Sequence, residues 1–166
     1  MAILTWGGTM IRRARPDEAT WALETVRAAF QLYVPRMGRE PGPMRRDYAQ
    51  PIAQGLLYVR EHEGRPVGLM EIGLEPGALG VKRLAVAPSE QGRGHGRALL
   101  DYAESEARRL GLPFIRLVTN AAMTENFGLY RYLGFHETHR DAEGYVHFEK
   151  SVAVARSTHA PPTSSG

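Results

Sequence analysis

The stretch Leu84–Leu100 reads LAVAPSEQGRGHGRALL. Its first residues form an apolar run typical of a strand, and its last residues begin an apolar pattern typical of a helix. Between the two runs glycine occupies every second position, at Gly92, Gly94 and Gly96. Because glycine has no Cβ, the backbone of this strand-to-helix junction can approach a bound group closely.

A junction of this kind predicts an anion site. The first four N–H groups of a helix have no acceptor inside the helix, and the helix dipole adds about half a positive charge at the same end. Arg93 and Arg97 bring further positive charge. We therefore expect residues 91–97 to hold a phosphate or pyrophosphate group, since a simple helix-entry turn needs fewer glycines.

Two common nucleotide motifs do not fit the stretch. A P-loop requires lysine and then serine or threonine after its last glycine, whereas Arg97 and Ala98 follow Gly96. A dinucleotide fingerprint requires a third glycine where Arg97 stands, and an acidic residue at the end of the next strand. That strand is expected to end in Thr119-Asn120, so both nucleotide motifs are excluded on spacing.

The neighbouring segments predict an α/β fold. Apolar runs separated by turn residues indicate strands at 10–15, 56–61, 67–74, 79–86, 114–119, 135–140 and 144–152. Helical periodicity indicates helices that begin near Asp17, within 44–54, at 94–110 and at 124–133. Short links predict antiparallel neighbours, but the helix between the fourth and fifth strands makes that pair parallel. The expected fold is a mixed, mostly antiparallel seven-stranded sheet with helices on both faces.

Length and composition indicate a soluble globular chain. The 166 residues fit one domain, expected at residues 1–153, with a disordered tail at 154–166 that is rich in Ser, Thr and Pro. The chain has no cysteine, which excludes disulfides, thiolate metal ligands and a cysteine nucleophile. No apolar run approaches the roughly 20 residues of a membrane span, and the N-terminus does not resemble a signal peptide. The expected location is therefore the cytoplasm.

The charge of the chain leaves a nucleic-acid-binding module as an alternative. The net charge is +3, and two of the 21 basic residues are lysines, so the remaining 19 are arginines. A basic chain can attract nucleic acid or a small polyanionic cofactor. The arginines are spread along the sequence without a block of like charges, so the sequence disfavours nucleic acid as a partner.

Two motifs together resemble one known family. The glycine stretch is similar to the acetyl-CoA motif of the GNAT superfamily of N-acetyltransferases, [Gln/Arg]-x-x-Gly-x-[Gly/Ala], with matches at Gln91, Gly94 and Gly96. Downstream, the residues NFGLYRYLGF at 126–135 resemble the helix of that family in which an asparagine, a tyrosine and an exit Gly-Phe occur in this order. The resemblance extends over about residues 11–152.

The resemblance implies a fold and a set of acetyl-CoA contacts. The sheet of this family is splayed between its fourth and fifth strands to hold the cofactor. The backbone of Leu84, Ala85 and Val86 would pair with the pantetheine arm as an added strand does. Asn126 would hydrogen-bond the same arm. The pyrophosphate would be held by Gln91, Gly92, Arg93, Gly94, His95, Gly96 and Arg97, with His95 contributing its backbone N–H rather than its side chain.

The same resemblance implies direct transfer of acetyl from acetyl-CoA to a primary amine in a ternary complex. Tyr130 would lie near the thioester sulfur and protonate the leaving thiolate; an ordinary tyrosine pKa is about 10 and an ordinary thiol pKa about 8.5. Tyr132 is two residues away and is expected to point elsewhere. The N–H of Val86 would stabilise the oxyanion. Glu71, inside an apolar strand, is a candidate base or amine-binding acid; the alternative is an outward-facing strand residue.

The acceptor amine stays open at this point. Four arginines could bind an acidic substrate or simply form a solvated face: Arg36, Arg39, Arg45 and Arg46. No metal is expected, because His136 and His139 should point to opposite faces of a strand. A homodimer is possible. The alternative to an enzyme within the same fold is a catalytically silent acyl-CoA sensor or scaffold.

Overall fold

The structure, a computed structural model, describes residues 9–153. The predicted disordered tail at 154–166 and the first eight residues of the predicted domain lie outside the described residues. The described part contains a seven-stranded sheet in the order β1-β2-β3-β4-β5-β7-β6. Its strands are β1 (Thr9–Arg13), β2 (Leu57–His62), β3 (Arg65–Glu75), β4 (Ala78–Val86), β5 (Phe114–Asn120), β6 (His136–Arg140) and β7 (Tyr145–Ser151).

Five α-helices surround the described sheet. They are α1 (Ala19–Phe30), α2 (Val34–Met37), α3 (Ala49–Ala53), α4 (His95–Arg109) and α5 (Glu125–Tyr132). Single 3₁₀ turns occur at Pro16–Glu18, Gln31–Tyr33, Gly42–Arg45 and Pro88–Glu90. The apolar stripe of α4 is fully buried at Leu99, Ala103 and Ala107, because these residues recur every four positions on one helix face.

Each face of the sheet has its own apolar core. Leu69 and Met70 are adjacent in β3, and both are fully buried. Leu69 packs with α1 in one cluster, while Met70 packs with residues of α4 and α5 in the other. Adjacent strand residues point to opposite faces, so helices cover both faces of this half of the sheet, as the sequence predicted.

A β-bulge interrupts β4 at Lys82. Glu71 of β3 pairs with Arg83, but the next residue of β3, Ile72, pairs with Val81, so Lys82 is an extra residue on β4. An extra residue reverses the alternation of side chains beyond it. Val81 packs in the core under α4, whereas Ala85, an even number of positions later, packs under α1.

The strands β4 and β5 separate directly after the bulge. They are parallel, and they pair only from Ala78 with Phe114 to Val81 with Leu117. Beyond this point β4 stays paired to β3 as far as Val86, and β5 stays paired to β7 as far as Asn120. The mixed sheet, the one parallel pair and the splay between the fourth and fifth strands confirm the predicted fold.

Candidate active site

A cleft of about 710 Å³ opens where β4 and β5 separate. One wall is the edge of β4 from Lys82 to Val86, together with the loop that leads into α4. The opposite wall is the end of β5, with Asn126 and Tyr130 from α5. The third side comes from the end of α1 and the residues after it, including Phe30 and Tyr33.

The edge of β4 offers backbone groups to this cleft. Ala87 donates its N–H to the Val67 carbonyl on β3, at 2.9 Å. Successive residues of a strand direct their N–H groups to opposite edges, so the N–H of Val86 points away from β3 and toward the opening. The Val86 carbonyl accepts a hydrogen bond from Gln91 Nε2 at 3.1 Å. Gln91 thereby joins the end of β4 to the glycine loop.

The glycine loop presents unpaired N–H groups at the start of α4. Within the described residues, the backbone N–H groups of 92–97 donate to no protein acceptor, although Gln91 donates to the Pro88 carbonyl at 3.4 Å. Gly92 and Gly94 have φ angles of 79° and 85°, a region that other residues rarely adopt. The backbone conformation of the loop therefore favours glycine at these two positions.

The side chain of His95 is buried beneath this loop. It is 4% exposed, and its Nδ1 accepts a hydrogen bond from Arg60 Nε at 3.3 Å. Its Nε2 lies 3.5 Å from a Glu90 carboxylate oxygen. Burial lowers the pKa of His95, the nearby charges of Arg60 and His62 lower it further, and Glu90 opposes them. His95 therefore joins the loop to β2 through its side chain.

Tyr130 lies on the buried side of α5 and lines the cleft. Its ring packs edge to face against Phe148, with centroids 5.5 Å apart. Burial raises the pKa of Tyr130 to about 12, and the nearby Tyr33 contributes to the same shift. The competing tyrosine, Tyr132, is 78% exposed, so it points away from the cleft as predicted.

Asn126 also lines the cleft, one helical turn before Tyr130. Its side-chain amide donates to Thr119 Oγ1 at 3.2 Å, which joins α5 to the end of β5. This bond orients the side chain at the wall that faces Val86. The sequence analysis had identified Asn126 only through the family motif. It had not identified Thr119 as a site residue, because no motif marks that position.

Glu71 is buried on the α1 face of the sheet, beside the cleft rather than in its lining. Its two carboxylate oxygens accept hydrogen bonds from Arg46 Nη2 at 2.6 Å and Arg83 Nη1 at 2.8 Å. The alternative of an outward-facing, solvated residue does not hold, because Glu71 is 4% exposed. The structure brings Arg83 into the cleft wall, a residue that the sequence analysis had missed.

The structure brings most of the predicted site residues together. Of the thirteen, eleven line the cleft: Leu84, Ala85, Val86, Gln91, Gly92, Gly94, His95, Gly96, Arg97, Asn126 and Tyr130. Glu71 and Arg93 do not. The Arg93 side chain is 60% exposed and lies 3.6 Å from Glu90 on the outside of the loop.

Membrane spans, metal sites and histidine contacts can be assessed over the described residues. Within residues 9–153, no helix is both long and apolar enough to cross a membrane. The same range contains no cluster of three or more histidine, aspartate or glutamate side chains that could hold a metal ion. His139 and His147 do meet, with stacked rings 4.0 Å apart.

The fold and the cleft are those of an acyl-group transferase, and comparison with known proteins gives the family. The model of the acetyltransferase (GNAT) family matches residues 23–135, and the chain belongs to this family. A curated relative, an IAA acetyltransferase from Azospirillum brasilense, is 40% identical over 68 residues, which are 41% of this chain and 44% of that protein. The match thus spans less than half of the relative's length.

Solved structures with the same fold are more distant in sequence. A PaiA N-acetyltransferase from Thermoplasma acidophilum, in complex with coenzyme A, is 17% identical with a TM-score of 0.75, and the match covers 86% of this chain and 98% of that one. The ribosomal-protein-S18-alanine N-acetyltransferase from Escherichia coli is 17% identical with a TM-score of 0.67, covering 92% and 99%. An IAA acetyltransferase from Bacillus cereus is 19% identical with a TM-score of 0.65, covering 86% and 99%.

Proposed function

We propose that the chain transfers an acetyl group from acetyl-CoA to a primary amine, by direct attack of the amine in a ternary complex. The observation that carries this proposal is the set of unpartnered N–H groups at 92–97, beside the opening between β4 and β5. Acetyl-CoA supplies an activated acyl group whose C–S bond breaks as the new C–N bond forms. A cytoplasmic location and a homodimer remain predictions.

The residues of the loop fit a diphosphate. Unpaired N–H groups at a helix N-terminus bind anions, and those at 92–97 have no competing acceptor in the described protein. Arg97 lines the same end of the cleft and adds positive charge. In this proposal the loop holds the diphosphate, and Asn126 binds the pantetheine arm.

The open edge of β4 fits the rest of the coenzyme. The backbone of Leu84–Val86 lacks a strand neighbour on the cleft side, so an extended arm can pair with it as an added strand. The N–H of Val86 is then the donor for the oxygen that becomes negative as the amine attacks. A fixed donor of this type stabilises such charge strongly, because it needs no reorganisation.

Tyr130 is proposed as the hydrogen-bond donor to the leaving sulfur. With a pKa of about 12, its phenol is fully protonated at neutral pH. It is also a weaker acid than a thiol, whose ordinary pKa is about 8.5, so complete transfer of its proton to a free thiolate is uphill. We therefore assign Tyr130 a hydrogen bond that stabilises the developing negative charge.

The amine must lose a proton before or during attack, since an alkyl amine with a pKa near 10.4 is mostly protonated at pH 7. Glu71 was the sequence candidate for this base. Both of its oxygens are occupied by guanidinium groups, which argues for a role in holding Arg83. We propose that the neutral fraction of the amine attacks, and that the proton released as the C–N bond forms passes through water in the open cleft to solvent.

A pair of charge substitutions tests the coenzyme loop. A Cβ at Gly96 would lie 3.8 Å from Val86 Cγ2, an ordinary contact, and a Cβ at Gly128 would meet nothing. Gly96→Glu places a carboxylate at the proposed diphosphate site, whereas Gly128→Glu adds the same charge on α5. Calorimetry should show at least about tenfold weaker acetyl-CoA binding for Gly96→Glu, because like charges in contact cost several kcal/mol, and no change for the control.

This experiment and two further assays distinguish the acetyltransferase from the silent acyl-CoA sensor and from the nucleic-acid-binding module. Unchanged binding by Gly96→Glu would show that the loop is not the coenzyme site. Tight binding of acetyl-CoA without thiol release, across a broad panel of amines, would favour the silent sensor. Binding to nucleic acid with a steep salt dependence and no effect of coenzyme A would favour the nucleic-acid module.

A further inference from the structure

The end of the cleft at the β4 bulge combines an apolar surface with one guanidinium group. Its lining comes from the end of α1 and the segment after it, including Phe30, Tyr33, Met37 and Pro43. Arg83 of β4 lies among them. Of the other charged residues of the cleft wall, Lys82 is ion-paired with Glu75, and Glu90 and Arg97 belong to the coenzyme loop or its approach. An acceptor that enters here therefore meets an apolar surface and one guanidinium group.

Arg83 belongs to a buried cluster with excess positive charge. Glu71 lies between Arg46 and Arg83 and bonds to one nitrogen of each. The side chain of Glu71 is 5% exposed, that of Arg83 23% and that of Arg46 30%. Two guanidinium groups thus share one carboxylate. Partly buried charge that is not fully balanced is costly, so this cluster favours a ligand that brings a negative charge.

The donors of Arg83 are only partly used. A guanidinium has five N–H donors in a fixed planar fork, and in the described residues Arg83 makes one side-chain hydrogen bond, to Glu71. Its Nε is buried without a partner, and so is the Nε of Arg46. Glu71 holds the Arg83 fork in place, which reduces the entropy lost when a ligand binds it.

The distance between Arg83 and Val86 along β4 indicates the size of the acceptor. Arg83 and Val86 are three positions apart, which is about 10 Å of strand, and the long arginine side chain can cover part of this distance. Val86 is the proposed oxyanion donor and marks where the acetyl group is transferred. A small acceptor can therefore place its amine near Val86 and a second group near Arg83.

We propose that the acceptor is a small amino carboxylate with an apolar or aromatic side chain, and that Arg83 binds its carboxylate. This inference rests on the proposed acetyltransferase function and names the substrate class of the same cleft. A planar carboxylate matches the guanidinium fork, and the apolar wall around Phe30 matches the side chain. Of the four arginines suggested by the sequence, Arg46 belongs to this cluster through Glu71.

Matched acceptors test the proposal. L-phenylalanine and L-phenylalaninamide differ in the charged carboxylate, and L-leucine with L-leucinamide repeats the comparison. Thiol release from acetyl-CoA gives kcat/KM for each. We expect the wild type to prefer the carboxylates by tenfold or more, Arg83→Gln to lower each acid-to-amide ratio by tenfold or more, and Arg83→Lys to give an intermediate ratio. The amide also has the less basic amine, but this difference affects the ratio equally in every variant. Arg45→Gln, which removes an exposed arginine from the same segment, should leave the ratio unchanged.

A ratio within one enzyme preparation does not depend on the folded fraction, so partial unfolding of Arg83→Gln does not imitate the result. Binding of N-acetyl-L-phenylalanine and its amide to the wild type with coenzyme A, measured by calorimetry, gives the same comparison without turnover. Preference for the amides, equal use of acids and amides, or no carboxylate preference in binding would overturn the proposal. If the wild type acetylates neutral amines as well as amino carboxylates, only this inference fails. If the wild type does not bind acetyl-CoA, the proposed function itself is contradicted.

Discussion

Tyr130 lines the cleft, and its hydroxyl has no hydrogen-bond partner among the described residues. Its ring is held by Phe135 and Phe148, so packing positions the side chain while the hydroxyl stays available. Burial by the same neighbours raises its pKa to about 12. The residue therefore keeps its proton throughout the physiological pH range and can act as a hydrogen-bond donor there.

Replacement of Tyr130 by phenylalanine should separate catalysis from binding. The aromatic packing is kept and only the hydroxyl is lost, so we expect kcat to fall about 10- to 100-fold, less than for most groups that transfer a proton, because Tyr130 donates only a hydrogen bond. The acetyl-CoA dissociation constant should change less than about twofold. Tyr132→Phe removes the same group from an exposed ring and should leave kcat unchanged. Equal losses of binding and kcat would identify Tyr130 as a structural residue.

His95 should make the stability of the protein depend on pH. Its pKa is lowered in the folded state by burial and by Arg60 and His62, while Glu90 opposes the shift. An unfolded histidine titrates near pH 6.5, so the unfolded chain binds more protons just below that pH. The contribution of neutral, buried His95 to the free energy of unfolding is therefore fully present above about pH 6.5. It is lost as the pH falls from 6.5 toward the lowered pKa of the folded state.

Thermal unfolding between pH 7.5 and 5 measures this contribution. The melting temperature of the wild type should fall more steeply than that of His95→Gln, which still offers Arg60 an acceptor. His136→Gln removes an exposed histidine and should follow the wild type. If His95→Gln showed the same pH slope as the wild type, the buried imidazole would not be the titrating group.

At the scale of single elements, the bulge in β4 determines which residues face the coenzyme and which face α1. If Lys82 instead paired with Glu71, the regular register of β3 and β4 would continue from Ile72 with Val81. Arg83 would then pair with Met70 and leave the face that carries Glu71, and Ala85 would leave its buried position under α1. The bulge thus places both the ion-pair cluster and the cleft edge.

Deletion of Lys82 should therefore remove the bulge without moving Arg83 to the other face, because Ile72 with Val81 and Glu71 with Arg83 then become consecutive pairs of a regular ladder. A bulge bends its strand and increases the local twist, and β4 separates from β5 directly beside it. We therefore expect the deletion variant to fold but to bind acetyl-CoA at least about tenfold more weakly in calorimetry. Lys82→Ala keeps the bulge and loses only the exposed ion pair with Glu75, which is worth about 0–1 kcal/mol, so its affinity should be unchanged. Equal affinities of the two variants would show that the bulge is not needed for the opening.

At the scale of the whole molecule, the sequence predicted the elements better than their contacts. Each strand and the parallel pair of β4 and β5 followed from apolar runs, turn residues and the connecting helix. The bulge was not predictable, because an unpaired residue in β4 is defined only by its partners in β3. For the same reason the sequence analysis identified Glu71 but missed Arg83, whose face depends on that bulge.

The candidate site was predictable to the extent that it lies in continuous motifs. Residues 84–97 and α5 carry local patterns, and the structure brings them to one cleft. The buried side chain of His95 was missed, since its partner Arg60 is 35 residues away in the sequence. The acceptor end combines α1, the segment after it and β4, and no local pattern connects these parts.

The two parts of the described sheet are joined at β4 and β5 by four residue pairs only. A coenzyme that binds in this opening would bind the folded chain and not the unfolded one. At a free coenzyme concentration one hundred times the dissociation constant, it would raise the free energy of unfolding by about 2.7 kcal/mol. Proteases act on chains that have opened. Added acetyl-CoA should therefore lengthen the half-life of this protein during digestion by a protease.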